Sequence, residues 1–554
     1  MINISIKNQM TFMNSNYYLV LLACLIISCK GRTQSTVKNS QTNEIENLHF
    51  SKVDFRENKP TSNNYSNSFT LNKDKFLSID FTLEKPLIES IKSLAPHLSQ
   101  DQLLNKGNFQ FSFLVDGEVI YVENLNKGAG TIDSKTTQLK HLVPLVYPTQ
   151  IDFWGWFMWL KFMKLGGGQD VLLEGNHSLS IEVRPYIKED TIKIGEILAK
   201  GTINTQAFIN KSLVPVQKIQ PDSGWELSND TYNSTKIEAL NKKIAQGRFE
   251  DINGIVVIKD NKLLIEEYFN GENRNSLHDP RSVGKTIAST MMGIAIQEGF
   301  IKNENILLKD FYNLKSFDNY SPKKDSITLK SLLTMSSGLL GDDADYSNPG
   351  NEENMYPTKN WVKFTLDLPM QKGRAIGEDY IYFTAGVVVL GDVIHQSVPN
   401  GLVSYADKKL FNPLGITDYK WQYTPQKVGN TAGGIQLRAI DFAKYGQLYK
   451  NNGKWNGKQI LSKQWVKKSL AKQVKRPTEN GHYGYLFWNK VYKYNDKEYE
   501  VSYCSGRGGN KIFIFKNIPF VIVITSSAYN SPSAHTNVDK MISEYILPAI
   551  IDKD

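Results

Sequence analysis

Strand-forming segments stand at both ends of the region from residue 235 to residue 554, and a long helical stretch separates them. At one end, apolar residues 254–258 and 262–269 flank a short polar turn, a pattern that predicts a β-hairpin. At the other end, residues 511–515 and 520–525 are rich in Ile, Phe and Val, which favour strands. Strands from both ends that enclose helices can pair in one layer. The pattern therefore predicts an α+β domain, an antiparallel sheet with helices.

A Ser-Val-Gly-Lys tetrad at residues 282–285 precedes a long apolar stretch at residues 286–296. If Ser282 begins a helix, Lys285 lies one turn further along on the same face. The amine then lies beside the hydroxyl, and the free N–H groups of the first turn point at whatever the hydroxyl attacks. A serine hydroxyl is a weak nucleophile until a base accepts its proton. Ser282 and Lys285 are therefore candidate catalytic residues.

The tetrad also has a simpler interpretation, in which Ser282 caps a helix and the lysine is solvated. The same spacing occurs at Ser35, Ser321 and Ser469. These three lie in a polar linker, beside a proline and in a lysine-rich stretch, respectively, so we interpret them as coincidental. Only the tetrad at 282–285 combines a preceding chain break with a following helix of the buried type.

Length and composition exclude several classes of protein. The chain has 554 residues, enough for two or more domains with large cores. Its formal charge of +9 comes from scattered lysines without a basic and aromatic cluster, which argues against nucleic-acid binding. The eight histidines show none of the spacings typical of catalytic zinc sites. We therefore expect neither a metal ion nor another cofactor.

The N-terminal residues resemble a bacterial lipoprotein signal. An apolar run at residues 17–28 is too short for a comfortable membrane span and ends at Cys29. The resemblance implies cleavage before Cys29, lipidation of that residue, and an exported, membrane-anchored protein in the periplasm or at the cell surface. Cys24 offers a second cleavage position, and an uncleaved anchor is a further alternative. After cleavage before Cys29 and its lipidation, only Cys504 stays free, so no internal disulfide is expected.

The remaining chain divides into predicted segments. Residues 30–46 are polar and form a linker. Residues 47–215 are predicted to form an all-β, sandwich-like domain, because they contain an Asp-Gly hairpin signal at 116–117 and alternating apolar residues. Within them, the aromatic run at 153–159 indicates either core packing or a surface for sugar stacking or a lid. A second linker, 216–234, leads to the α+β domain at 235–554.

Five landmarks in the second domain resemble those of the class C β-lactamase-related serine hydrolases. The segment at 327–339 contains Leu-Leu-Thr-Met-Ser-Ser-Gly, and the one at 380–391 begins Tyr-Ile-Tyr-Phe-Thr. The others are 433–446, 465–466 and 482–488, in the same order as in the family. The Ser-x-x-Lys tetrad belongs to the same pattern. The resemblance runs from about residue 235 to the end of the chain and implies a β-lactamase-like fold.

The resemblance also implies roles for particular residues. Ser282 would attack a carbonyl, and Tyr382, together with Lys285, would accept its proton and return it to the leaving group. The N–H group of Ser282 would supply half of an oxyanion hole, and the other half would come from Gly506 or Arg507. Apart from the family pattern, the neighbouring aromatic residues favour Tyr382 as a core residue.

The chain departs from the family pattern in two places. Thr384 stands where the family has asparagine, and Tyr-Cys-Ser-Gly at 503–506 stands where it has a Lys or His, then Thr or Ser, then Gly. Thr384 and Ser505 keep hydroxyl groups that can contact a substrate. Cys504 or Tyr503 takes the cationic position, which argues against β-lactam hydrolysis, although Arg507 could restore a contact to an anion.

Three hypotheses about function follow. The first is a serine hydrolase that cleaves a small ester, amide or peptide through an acyl-enzyme. The second is a periplasmic D-stereospecific peptidase or carboxypeptidase, or a weak β-lactamase. The third is a non-catalytic binding or sensor protein with a hydrolase fold, which the two departures favour and the tetrad with Tyr382 opposes. The sequence leaves the substrate and the oligomeric state open.

Overall fold

The computed structural model describes residues 47–71, 73–149, 151–477 and 481–552. The expected signal at 1–29, its Cys29 and the linker at 30–46 lie outside the described residues. No helix in the described part of the chain has both the length and the hydropathy needed to cross a membrane.

Two β-sheets face each other in the N-terminal region. Its strands are β1 (Leu48–Ser51), β2 (Ser68–Thr70), β3 (Leu77–Thr82), β4 (Gly107–Val115), β5 (Glu118–Asn124), β6 (Lys140–Val146), β7 (Gly175–Lys188), β8 (Ile192–Ile194) and β9 (Ala199–Ala207). One sheet has the order β1-β3-β6, and the other has the order β2-β9-β7-β4-β5, with β8 paired to β7. Phe81 of β3 packs against Phe109 and Phe111 of β4, so that the two sheets share one core. The predicted hairpin with the Asp-Gly turn is confirmed as β4 and β5.

Helices accompany these sheets, so the region is a sandwich with helical additions rather than an all-β domain. They are α1 (Leu87–Leu94), α2 (Gln100–Lys106), α3 (Ile132–Thr136), α4 (Trp154–Lys164) and α5 (Gly168–Leu172). The aromatic run at 153–159 enters α4, which contains no β-branched residue. Its Met158, Trp159 and Phe162 have helical spacing and are buried in the core, which supports the packing interpretation of the run.

An eight-stranded antiparallel sheet forms the centre of the C-terminal region. The strands of this region are β10 (Ile252–Lys259), β11 (Lys262–Tyr268), β12 (Leu277–His278), β13 (Tyr419–Trp421), β14 (Ile435–Arg438), β15 (Lys454–Trp455), β16 (Lys458–Gln459), β17 (Val474–Lys475), β18 (His482–Tyr483), β19 (Trp488–Tyr494), β20 (Lys497–Gly506), β21 (Asn510–Phe515) and β22 (Phe520–Ser526). The large sheet has the order β11-β10-β22-β21-β20-β19-β18-β17. The predicted pairing of strands from both ends of the region is confirmed, because β10 lies next to β22.

Helical layers cover both faces of this sheet. The helices are α6 (Ser234–Ala245), α7 (Lys285–Gln297), α8 (Leu329–Leu333), α9 (Glu352–Met355), α10 (Trp361–Asp367), α11 (Thr384–Ser397), α12 (Gly401–Ala406), α13 (Ala439–Lys450), α14 (Lys463–Leu470), α15 (Ala534–Lys540) and α16 (Leu547–Ile551). Along β21, Ile512 and Ile514 pack into the core with α7 and α13, whereas Phe513 and Phe515 pack into the core with α6 and α16. Burial on both faces explains why these strands have unbroken apolar sequences. The α+β fold is thus confirmed.

The predicted linker at 216–234 follows the edge of the large sheet. The N–H group of Leu263 in β11 donates a hydrogen bond to the carbonyl oxygen of Glu226 at 2.8 Å, and the N–H group of Ser228 donates to the carbonyl oxygen of Leu263 at 2.8 Å. The segment therefore covers part of an edge strand that would otherwise present unpaired backbone groups. The domain boundaries themselves stay predictions.

Candidate active site

Ser282 lies in a 3₁₀ turn, Arg281–Gly284, that connects β12 to α7. Arg281 has a φ angle of 52°, a left-handed conformation that turns the chain sharply before the helix. Ser282 is half-buried and contributes to the wall of a cleft of about 520 Å³. The turn therefore presents the hydroxyl to the cleft, while almost all of α7 behind it is buried.

Lys285 is the first residue of α7 and is 1% exposed. Its Nζ donates hydrogen bonds to Ser282 Oγ at 2.7 Å and to the carbonyl oxygen of Ala432 at 2.6 Å. The Lys285 ammonium group has three N–H donors, and two of them are used by Ser282 Oγ and the carbonyl oxygen of Ala432. The bond to Ala432 therefore fixes the direction in which the amine points. The predicted contact between Ser282 and Lys285 is thus present. Ala432, which orients the amine, directly precedes the Gly-Gly pair at 433–434, where one of the family landmarks begins.

Two glycines let neighbouring segments approach Ser282 closely. A Cβ atom on Gly506, at the end of β20, would lie 1.9 Å from the carbonyl oxygen of Pro280 and 3.1 Å from the backbone nitrogen of Ser282. A Cβ atom on Gly433 would lie 2.7 Å from the carbonyl oxygen of Arg281 and 3.2 Å from the same nitrogen. The backbone nitrogen of Ser282 therefore lies close to both segments, where larger residues would not fit.

Tyr382 lies beside the amine. Its ring centroid is 5.4 Å from Lys285 Nζ, and the ring stacks on that of Trp488 with 5.6 Å between the centroids. Burial raises the pKa of the Tyr382 hydroxyl, and the nearby Lys285 amine and Ser282 hydroxyl oppose that rise. The structure thus brings together the three residues that the sequence analysis named as catalytic.

Thr384 is not among the residues that line the cleft, so its predicted contact with a substrate stays a prediction. It begins α11 and is fully buried, and its hydroxyl has no hydrogen-bond partner within the described residues. Its N–H group donates to Asp343 Oδ2 at 2.6 Å. The start of the helix directs the side chain inward, and the backbone N–H group makes the hydrogen bond to Asp343. Asp343 was not singled out from the sequence, because only the folded loop brings it here.

The segment at 504–507 divides between core and cleft. Cys504 is completely buried beside α7, and burial raises the pKa of its thiol to about 12, so it is not an activated nucleophile. Ser505 is half-buried opposite Lys511 on β21, outside the lining of the cleft. Arg507 lines the cleft, and its Nε donates to the carbonyl oxygen of Tyr529 at 2.9 Å. The cleft thus has an arginine beside Gly506, and Ser505 lies outside its lining.

The cleft carries charges of both signs. Arg281 and Arg507 lie near Tyr529, with the Arg281 guanidinium 4.7 Å above the Tyr529 ring. Glu352 and Glu353 of α9 also line the cleft. Within the described residues, no group of three or more His, Cys, Asp or Glu side chains is arranged to hold a metal ion.

Known proteins are similar to part of this chain. The family model described as beta-lactamase matches residues 240–543, which is more than half of the chain. Similar solved structures include a putative 6-aminohexanoate-dimer hydrolase from Bacillus anthracis, which is 19% identical in sequence. The match covers 56% of this chain and 83% of that chain, with a TM-score of 0.47. They also include a putative beta-lactamase from Bacteroides dorei DSM 17855, which is 15% identical in sequence. That match covers 57% of this chain and 100% of that chain, with a TM-score of 0.46. A comparison with curated proteins found no match.

Proposed function

Because the chain belongs to the β-lactamase family, whose members are serine hydrolases, we propose that it cleaves an ester or amide through an acyl-enzyme on Ser282. The observation that carries the proposal is the distance of 2.7 Å between Lys285 Nζ and Ser282 Oγ at the wall of a cleft. A buried amine in contact with an accessible hydroxyl is the arrangement expected of an activated nucleophile.

In the proposed reaction, Ser282 Oγ forms a bond to the substrate carbonyl carbon, and its proton passes to Tyr382 or Lys285. The bond from that carbon to the leaving oxygen or nitrogen then breaks, and the leaving group takes up the proton. Water attacks the resulting ester, releases the acid and restores the Ser282 hydroxyl. The position of the Tyr382 ring 5.4 Å from Lys285 Nζ supports a shared role in proton transfer.

We propose that the backbone N–H groups of Ser282 and Arg507 stabilise the oxyanion. The close approach of Gly506 to the backbone nitrogen of Ser282 supports this pair, because Arg507 directly follows Gly506 at the cleft. Donors held by the backbone need no reorganisation when negative charge develops on the substrate oxygen.

The second candidate is a D-stereospecific peptidase or carboxypeptidase. The cleft lining favours it, since Arg281 and Arg507 can pair with a carboxylate and Glu352 and Glu353 with an amine. A short peptide carries both groups. The buried, neutral Cys504 supplies no cation, which still argues against β-lactam hydrolysis as the main activity.

The proposed location is the membrane surface. We propose an exported lipoprotein, anchored through Cys29 and facing the periplasm or the cell exterior, on the strength of the apolar run that ends at Cys29. Globomycin, which blocks lipoprotein signal cleavage, should cause an uncleaved precursor to accumulate. A mature chain that begins elsewhere than at Cys29 would contradict the proposal.

The test of the proposed function is hydrolysis of p-nitrophenyl acetate. The protein should turn the ester over, and Ser282→Ala should reduce the rate to background. Ser321→Ala is the matched control, because Ser321 also precedes a buried lysine by three positions but lies outside the cleft. It should keep the full rate.

Two results would contradict the proposal. Ester turnover by Ser282→Ala at the wild-type rate would assign the reaction to another group. No turnover of esters or of D-amino-acid peptides by the wild-type protein would favour the non-catalytic alternative, a binding or sensor protein with this fold.

A further inference from the structure

Asp343 connects three segments around the candidate site. Its Oδ2 accepts a hydrogen bond from the N–H group of Thr384 at 2.6 Å, and its Oδ1 accepts one from the N–H group of Glu352 at 3.0 Å. Its own N–H group donates to the carbonyl oxygen of Tyr382 at 3.1 Å. One residue therefore holds the backbone of Tyr382, the start of α11 and the start of α9.

The two N–H groups bound by the carboxylate belong to the first residues of α11 and α9. Such groups have no partner within their helices, and a carboxylate satisfies them well because the first turn carries partial positive charge. Tyr382 lies two residues before Thr384, and Glu352 lines the cleft. A displacement of the Asp343 carboxylate would therefore move the candidate proton acceptor and one wall of the cleft together.

The same carboxylate acts on the charges of the site. Burial raises the pKa of Asp343, and Glu352 adds to the rise, whereas hydrogen bonding from Thr384 and the nearby Lys285 amine oppose it. The charge of Asp343 in turn contributes to the raised pKa of Tyr382. Lys285 from α7, Glu352 from α9, Tyr382 and Tyr356 are the titratable groups that interact with it.

We propose that Asp343 is a positioning residue for the reaction, which holds Tyr382 and the α9 wall in place relative to Ser282 and Lys285. The proposal rests on the proposed function, since it needs a turnover to measure. It goes beyond that function because Asp343 does not contact the Ser282 hydroxyl and is not itself a lining residue of the cleft, although it binds the N–H group of Glu352, which is one. Asp343 acts through two helix starts and through its charge.

The test is the kinetics of Asp343→Asn in the full chain, with Asp342→Asn as the matched control. Asparagine has nearly the same shape, but its amide nitrogen cannot accept, so one of the two N–H bonds is lost. We expect kcat for p-nitrophenyl acetate to fall about tenfold to a hundredfold, with KM changed less than about threefold, as for a small displacement of a reacting group. Asp342 accepts a hydrogen bond from the N–H group of Ala344 in its own loop, so its variant should keep the wild-type kcat.

The pH profile distinguishes positioning at this site from general support of the fold. Removal of the negative charge lowers the pKa of Tyr382, so the limb of the kcat/KM profile that depends on this group should move to lower pH. Asp343→Ala should show the same direction of shift. A melting temperature measured alongside separates loss of folded protein from loss of kcat.

Each outcome decides the proposal. A reduced kcat in folded Asp343→Asn with the shifted limb supports it. A wild-type kcat, or a reduced kcat with an unshifted limb, overturns it. If Asp343→Asn does not fold, Asp343→Glu takes its place, because it keeps the negative charge. The Tyr382-dependent limb of its kcat/KM profile must then coincide with that of the wild type. A shifted limb in Asp343→Glu overturns the proposal. Failure of the proposed function is distinct, because the wild-type protein itself would then show no turnover.

Discussion

At the scale of residues, Ser282 differs from Ser321, which also precedes a lysine by three positions, because of where that lysine points. Lys285 Nζ donates to Ser282 Oγ. Lys324 is also buried, but its Nζ donates to the carbonyl oxygens of Asp318 and Leu366, and Ser321 Oγ has no partner within the described residues. Of these two equally spaced pairs, the pair with the contact is the one in which helix α7 begins at the lysine.

The Tyr382 hydroxyl should be needed for the rate but not for the fold. Tyr382→Phe keeps the ring, its stacking on Trp488 and its position beside Lys285, and removes only the group that exchanges protons. We expect the rate of acylation by a p-nitrophenyl ester to fall about 10²- to 10⁴-fold, the range typical of proton-transfer groups. Stopped-flow release of p-nitrophenolate measures this rate, and the melting temperature should change little.

Tyr380→Phe is the matched control for that substitution. The Tyr380 hydroxyl is buried without a hydrogen-bond partner among the described residues, and its ring also packs against Trp488. Its removal should leave the acylation rate within about a factor of three of the wild type, as expected for a group outside the reaction. Equal losses in the two variants would show that aromatic packing, and not proton transfer, sets the rate.

The residues of the site differ in how far the sequence could identify them. Ser282 and Lys285 could be identified because their contact is local, within one turn of a helix. Tyr382 could be identified only through the order of the family landmarks. Asp343 could not, because its partners Thr384 and Glu352 meet it through loops whose paths no periodic pattern describes.

At the scale of elements, the site depends on how closely β20 approaches the turn before α7. Gly506 ends β20, and the turn at Arg281–Gly284 lies against it and against Gly433. Neither glycine has room for a side chain. The geometry of the backbone N–H groups near Ser282 is therefore set by the packing of a strand on a turn.

Gly506→Ala should disrupt this packing. Its Cβ atom would lie 1.9 Å from the carbonyl oxygen of Pro280, so the strand or the turn must move. We expect kcat/KM to fall by at least about 100-fold, as for an ångström-scale displacement, with a cost in stability of about 1–3 kcal/mol. Steady-state kinetics and chemical unfolding measure the two effects.

Gly128→Ala is the control for that substitution, because the nearest atom to its Cβ would be 3.9 Å away. It should keep both activity and stability. If Gly506→Ala retains the wild-type kcat/KM, the close packing of β20 on the turn is not needed for the reaction.

Among the larger elements, the sequence predicted the strands whose apolar residues form clear runs between turns, and it did not predict the elements that lack such a pattern. The strands β10, β11, β21 and β22 follow from short apolar runs between turns. Helix α4 was obscured by its aromatic residues, which favour strands in general, although its buried residues have helical spacing. The 3₁₀ turn before α7 depends on the left-handed Arg281, which no sequence rule indicates.

At the scale of the whole molecule, ion pairs connect the N-terminal sandwich to the C-terminal region. Lys164 of α4 pairs with Glu250 at 3.0 Å, and Arg248 pairs with Asp170 of α5. These pairs are largely exposed, and exposed pairs contribute about 0–1 kcal/mol each. The contact between the two regions therefore draws little stability from them.

Glu267 makes the stability of the molecule depend on pH. It is completely buried on β11 and accepts hydrogen bonds from the N–H group of Gln217 at 2.9 Å and from Asn241 Nδ2 of α6 at 3.1 Å. Burial raises its pKa from 4.5 to about 7, while those two bonds oppose the rise. The folded protein thus holds a proton that the unfolded chain releases between these pH values, so stability falls as the pH rises through this window.

Glu267→Gln should remove this dependence. A shift of the Glu267 pKa from 4.5 to about 7 corresponds to about 3 kcal/mol. At pH 8 the free energy of unfolding of the variant should therefore exceed that of the wild type by up to this amount, and at pH 4.5 the two should differ little. Urea unfolding at both pH values measures the difference. The exposed Glu118→Gln should show neither effect. A variant at position 267 that is less stable than the wild type at pH 8 would contradict the assignment.

The central claim is that Ser282 is the nucleophile of a serine hydrolase, and the most direct measurement is the intact mass after reaction with a fluorophosphonate. We expect one adduct on the wild-type protein, mapped to the peptide that contains Ser282, the same adduct on Ser321→Ala and none on Ser282→Ala. Retention of the adduct by Ser282→Ala, or no adduct on the wild-type protein, would contradict the claim.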